Sequence, residues 1–344
     1  MKSQKLKVFI DDKPLSTGHA FRGIGNYTSN LLAELQKNSE VELVNSPKLA
    51  DLMHYPYFDF FFNTLNIFNK PTVVTIFDTI PLIYPNHYPS GVKGRINLLL
   101  QKRKLKQVDA VITISETSKK DIVRFLNISP EKIHPIYLAA SSNFKTKIDN
   151  KWKEGIRQKY NLPEKFILYV GDINYNKNIE GLIRAFAKIK DSLPDFKLLL
   201  IGKSFLDHSL TETKSIFQLI KGLNLEEKIM MLGFISTEDL VYIYNLASVY
   251  CQSSFYEGFG LPILEAMACS CPVVAAKTQA LVEIAGNAAY FVDPKNTSDM
   301  GNGLVSIIRN DMLRRQLVIK GLARNKDFSW KKTAKETVNL YKSL

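Results

Sequence analysis

Cysteine is scarce: three residues in 344, at positions 251, 269 and 271, with no spacing that suits a disulfide framework or a zinc site. All three lie in apolar runs, so they read as small core residues in a reducing compartment. No run approaches the roughly eighteen apolar residues that a membrane span requires. The first apolar run, residues 8–10, stops at two aspartates and is too short for the hydrophobic part of a signal peptide. There is no Asp-x-Asp and no histidine cluster at metal spacing, so no metal and no cofactor are implied. No glycine run completes the G-x-G-x-x-G dinucleotide fingerprint, and none of the usual nucleic-acid modules appears. A cytoplasmic protein without a nucleic-acid partner is the expectation, and attachment to the inner face of a membrane stays open.

Acid is also in deficit. The net charge is +13, and both halves of the chain are basic, which favours anionic partners such as nucleoside diphosphates or phospholipid headgroups. The bland reading is a lysine-rich solvated surface. With 45% hydrophobic residues the chain can bury two cores, and its length suits two domains. Strand-like runs at 8–10, 52–55, 72–77, 110–115 and 133–138 form a first series. A second series lies at 166–170, 197–201, 229–232, 248–252, 273–276 and 289–292, with helical patterns between the strands. That alternation predicts an α/β fold of parallel, doubly wound sheets, with ligands beyond the carboxyl ends of the strands. Residues 141–163 are polar and lysine-rich, which places the junction there: an acceptor-side domain over 1–155, a donor-side domain over 156–325 and a final helix over 326–344.

The chain is organised around residues 247–276. A strand feeds the turn Glu257-Gly258-Phe259-Gly260, Pro262 opens an apolar helix, and a second strand follows. Proline suits a first helical position, so the amides of Phe259, Gly260 and Leu261 point out of a positive helix end, which is an anion site. Glu257 in the turn and Glu265 in the first helical turn frame that site. Taken singly, each acid is more simply a solvated turn residue or a helix-end charge.

The string EGFGLPILEAMACSCPVVA resembles the two-glutamate signature of the retaining nucleotide-sugar glycosyltransferases of family four, also called glycosyltransferase group 1. That family has the GT-B fold, two Rossmann-like doubly wound domains facing across a cleft. The resemblance implies that Glu257 meets the donor-sugar hydroxyls, that the turn Gly258, Phe259, Gly260 and Leu261 binds the diphosphate, and that Glu265 holds the ribose hydroxyls. It also makes Lys177, after the strand at 166–170, the lysine of a basic pair clamping the diphosphate. The arginine of that pair is missing, since Asp172 and Asn176 occupy its places; Lys203 is a candidate substitute. Gly23 and Gly25 resemble the loop that reaches the donor phosphates, with His19 and Arg22 as its polar members. Asp78 is the candidate for orienting an acceptor hydroxyl, although Phe77 stands where the family has histidine.

The expected activity is transfer of a hexose from a nucleoside diphosphate sugar, GDP-mannose first, to a glycan or lipid-linked acceptor in cell-surface polysaccharide biosynthesis. A degenerate scaffold subunit and a GT-B epimerase or phosphorylase are the alternatives. Two features stand outside that scheme. The aromatic run at residues 55–62 either packs inward or meets an acceptor or lipid. The stretch 91–107 carries six basic residues and no acid among its leucines and isoleucine, so it is either a helix lying on an anionic membrane or a surface helix with its leucines in the core.

Overall fold

The computed structural model describes residues 5–16, 23–66, 69–147 and 151–344. His19 and Arg22 lie outside the described residues. The chain divides into two units, Met1–Ala139 with Phe328–Leu344, and Ala140–Asp327.

In the first unit β1 (Leu6–Ile10), β2 (Val41–Leu43), β3 (Leu52–Tyr55), β4 (Thr72–Thr75), β5 (Ala110–Thr113) and β6 (Ile133–Pro135) pair in parallel in the order β2-β1-β3-β4-β5-β6. The strands β3, β4 and β5 are buried along their whole length, as parallel strands covered on both faces must be. Strand β2 was not among the sequence expectations; it is three residues long and pairs with β1 through Leu6 and Val41. The aromatic run divides: Tyr55, Phe58 and Phe60 enter the core beside Met53 and Val74, while Phe62 is exposed.

The last helix, Trp330–Ser343, starts where the Ser329 side chain accepts from the Lys332 amide, and it belongs to this first unit. Thr333 Oγ1 donates to the Tyr137 carbonyl at 2.6 Å. Tyr341 Oη lies 2.6 Å from His54 Nδ1, and His54 Nε2 lies 2.8 Å from Thr75 Oγ1. Full burial pushes the His54 pKa down to about 3, so this imidazole is a neutral connector within the core.

In the second unit β7 (Lys165–Val170), β8 (Phe196–Ile201), β9 (Ile229–Leu232), β10 (Val249–Gln252), β11 (Val273–Ala276) and β12 (Tyr290–Val292) form a second all-parallel sheet, ordered β12-β11-β10-β7-β8-β9. The helix Ile179–Ile189 turns Leu182, Ile183, Phe186 and Ile189 onto this sheet at helical spacing. The expected junction after residue 155 is displaced, because residues 140–155 belong to the second unit. An unexpected helix, Lys151–Tyr160, begins in that stretch; its Trp152 ring sits 4.7 Å from that of Tyr242 and its Ile156 is buried. Tyr160 Oη donates to Asp239 Oδ2 at 2.6 Å.

Strand order fixes where a ligand can sit. In the second sheet the chain starts at β7, builds outward through β8 and β9, and then returns to the other side with β10. The reversal opens a crevice between the carboxyl ends of β7 and β10.

Candidate donor site

Both edges of that crevice carry side chains singled out in the sequence. After β7 comes the short turn Tyr175–Lys177, and after β10 the segment Ser253 to Glu257. Lys177 Nζ donates to Glu257 Oε1 at 2.8 Å and to Oε2 at 2.9 Å. The Glu257 carboxylate is buried and also accepts from Ser254 Oγ at 2.6 Å and Gln252 Nε2 at 2.7 Å, both on Oε1. Buried charge is tolerated where a partner charge and hydrogen bonds satisfy it.

The backbone beneath this pair is stapled by asparagines. Asn176 Nδ2 donates to the Tyr256 carbonyl at 2.9 Å, and the Asn176 carbonyl accepts from the Phe255 amide at 2.7 Å. Asn178, in the left-handed conformation at φ 54°, donates to the Ser253 and Pro294 carbonyls at 3.1 and 2.8 Å. Its side chain lies where a Cβ on residue 181 would fall, at 2.3 Å from Oδ1, so Gly181 is required by this close approach. Asn176, one of the two residues found where the resemblance led us to expect arginine, is thus a connector between the two edges. Asp172, the other, accepts from Ser204 Oγ at 3.2 Å, and Lys203 is exposed on the neighbouring turn.

The helix after Glu257 runs from Leu261 to Ala268, with Gly260 at its cap at φ +101°. Two details differ from expectation. Pro262 is the second helical residue, and Glu265, the fifth, stands in the second turn. Gly260 cannot be replaced freely, since a Cβ there would lie 2.5 Å from Leu281 Cδ2. Tyr244 Oη donates to Glu265 Oε2 at 3.0 Å. Desolvation nevertheless pushes the Glu265 carboxyl up from 4.5 to about 7, against the opposing pull of that hydrogen bond.

Lys177, Glu257, Gly258, Phe259, Gly260, Leu261 and Glu265 therefore belong to one end of the second sheet. Gly23, Gly25 and Asp78 belong to the first unit. Gly23 and Gly25 lie inside the first turn of the helix Gly23–Leu35, where a loop was expected. Tyr27 of that helix packs edge-on against Phe77 at 5.1 Å, which sets the helix start beside the end of β4. Asp78 Oδ1 accepts from the Ile80 amide at 2.9 Å. Sequence reasoning missed Gln252, Ser254 and the two asparagines; the polar Gln-Ser-Ser closing an apolar strand was the available signal. A cavity of about 430 Å³ lined by Ala247, Ser270, Arg314 and Ile319 lies at the opposite, amino ends of β10 and β11, away from this chemistry. Among the described residues no group of three or more His, Cys, Asp or Glu side chains is placed to hold a metal ion.

Comparison with known proteins agrees with this architecture. Residues 151–324 match the model of the glycosyl transferases group 1, and residues 49–141 that of glycosyltransferase family 4. The chain is 31% identical to the O-antigen chain mannosyltransferase B of Escherichia coli over 79% of its own length and 70% of that protein. It is 27% identical to the serotype-specific mannosyltransferase WbdA of Escherichia coli over 76% of its length, but spans only 32% of that longer protein. Among solved structures, the sucrose-phosphate synthase of Thermosynechococcus elongatus superposes with a TM-score of 0.77 at 21% identity, covering 99% of both chains. That likeness shows the fold alone, the GT-B class built from two parallel-sheet Rossmann-like units.

Proposed function

The chain belongs to the glycosyl transferases group 1 family, and from that premise we propose that it transfers a hexose, with retention, from a nucleoside diphosphate sugar to a glycan or lipid-linked acceptor in polysaccharide biosynthesis. GDP-mannose is the first donor, a choice supported by the two mannosyltransferase relatives. The observation that carries the reading is the Lys177–Glu257 pair at the switch point of the second sheet, directly before the helix that opens at Leu261. The diphosphate lies against the turn amides of residues 258–261 and Lys177, with Glu265 on the ribose hydroxyls and Glu257 on the sugar hydroxyls. The bond from the anomeric carbon to the diphosphate oxygen breaks, and the acceptor oxygen bonds to the same face. The departing diphosphate oxygen takes the acceptor proton while Lys177 and the amides stabilise its charge. Asp78 orients the acceptor hydroxyl.

A second reading is a silent scaffold subunit, favoured by Asp172 and Asn176 standing where the family has arginine. A panel of radiolabelled GDP-, UDP- and dTDP-sugars separates the two. The transfer reading expects one donor to be consumed, by acceptor or slowly by water, and Glu257→Gln to lower turnover more than nucleotide affinity. No consumption of any donor above background would support the scaffold.

A further inference from the structure

The helix Gly91–Leu105 is held down on one side and bare on the other. Its inner side carries Gly94, Gln101 and Leu105, all buried, and Leu98, which packs on the first core. Asn97 Nδ2 donates to the Phe61 carbonyl at 2.8 Å, Gln101 Nε2 to Thr64 Oγ1 at 2.9 Å, and Lys104 Nζ to Asn63 Oδ1 at 2.6 Å. Pinned this way, the helix cannot roll to hide its other side. That outer side presents Val92, Ile96, Leu99 and Leu100, which are 76%, 53%, 63% and 48% exposed. At 3.6 residues per turn these four fall within an arc of roughly 100°. Phe62, 69% exposed, stands on the loop to which the helix is tied. Among the described residues, no other helix exposes more than two large hydrophobic side chains.

The leucines thus divide between the two readings of the sequence: Leu98 and Leu105 go to the core, Leu99 and Leu100 to the surface. Lys93 borders the exposed strip on one flank, Arg95, Lys102 and Lys106 on the other, and Arg103 lies within it. Among the described residues none of these five is in an ion pair, and no acidic residue occurs between Asp78 and Asp109.

We propose that this face docks on an anionic lipid bilayer, with the aliphatic side chains in the boundary between headgroups and acyl chains and the five cations against lipid phosphates. A contiguous apolar strip rimmed by charge marks an interaction surface, and a helix with such a strip and basic flanks suits the membrane plane. A second copy of the chain fits poorly, because it would set five cations against five. One convex helix also offers far less than the roughly 800 Å² per partner of a stable protein interface, whereas a bilayer accepts a lone helix. Among the described residues no helix is long and apolar enough to cross a membrane, so docking is peripheral. The inference goes beyond the proposed reaction and does not depend on it.

Vesicle sedimentation tests it. The protein should pellet with vesicles containing phosphatidylglycerol, stay in solution with pure phosphatidylcholine, and be released by salt as the Debye length shrinks. Replacing Lys93, Arg95, Arg103 and Lys106 together by Gln should lower the partition on the order of a hundredfold or more. Replacing Ile96, Leu99 and Leu100 by Ser should also release the protein, with its melting curve unchanged because these side chains are exposed. Equal binding to neutral and anionic vesicles, or retention by both variants, would overturn the proposal. So would a dimer that the serine variant dissolves while vesicles recruit nothing.

Discussion

Glu257 and Lys177 stabilise each other, so a change at either has a stability consequence besides the loss of turnover that the proposed reaction entails. Lys177→Met strips the cation from a buried carboxylate. Losing one partner of a fully buried pair costs about 3–5 kcal/mol. Lys177 keeps partial solvent access, and Ser254 and Gln252 still donate, so about 2 kcal/mol is expected here. Denaturant unfolding should show that loss alongside a collapse of turnover; unchanged stability would mean that the pair is not formed in solution. Glu265 titrates in a different window. Its folded pKa of about 7 stands above the ordinary 4.5, so the folded protein keeps a proton that the unfolded chain releases. The corresponding stability is fully present below about pH 4.5 and is lost as pH rises to about 7. Glu265→Gln should flatten that part of the stability profile relative to the parent. The two glutamates could be picked out in the sequence because a spacing of eight positions around a glycine-rich turn is local. Asn176 could not, since its role arises from a bond across the crevice that no local pattern encodes, and Gln252 and Ser254 read as the polar end of an apolar strand until their bonds to Glu257 were seen.

At the scale of the element, the helix Leu261–Ala268 depends on Gly260. A left-handed φ and a Cβ position already claimed by Leu281 make Gly260→Ala strained twice over, by about 1–3 kcal/mol for the backbone alone. Weakened nucleoside diphosphate binding together with a lowered melting temperature is expected, because the turn amides shift with the cap. A variant that melts and binds as the parent does would show that the turn tolerates another conformation. Long apolar strands such as β8, with Leu198, Leu199 and Leu200 in sequence, could be read directly from composition. Strand β2 could not, since three residues with a central exposed Glu42 carry almost no periodic signal. The helix Lys151–Tyr160 was hidden by its four Lys and Arg residues, which made it look like linker. The helix Gly91–Leu105 left its two readings open because one periodic pattern served two apolar faces.

For the whole molecule, alternation of strands and helices was enough to foresee two parallel sheets, and the signature stretch was enough to identify the family. Composition could not place the boundary, because what joins this polar segment to the second unit is tertiary contact, of Lys147 with Asn245 and Tyr242 and of Trp152 with Tyr242. The end of the chain is structural for the first unit. Truncation after Asp327 would remove Trp330, Val338, Leu340 and Tyr341, all buried, at about 1.5–3 kcal/mol each. That sum rivals the whole stability of a domain, so the shortened protein should lose the first unit's melting transition or precipitate. An unaltered melt would contradict the assignment of this helix to the first core.

The central claim, that the crevice between β7 and β10 is a nucleotide-sugar site with Glu265 on the ribose, is tested most directly by calorimetric titration. GDP, UDP and dTDP are titrated into the parent protein and into Glu265→Ala. One nucleotide should bind the parent, and the substitution should weaken it by about 1.5–3 kcal/mol, roughly 10- to 150-fold, as expected for charge-assisted hydrogen bonds. Equal affinity in a folded Glu265→Ala protein, or no binding of any of the three to the parent, would contradict it.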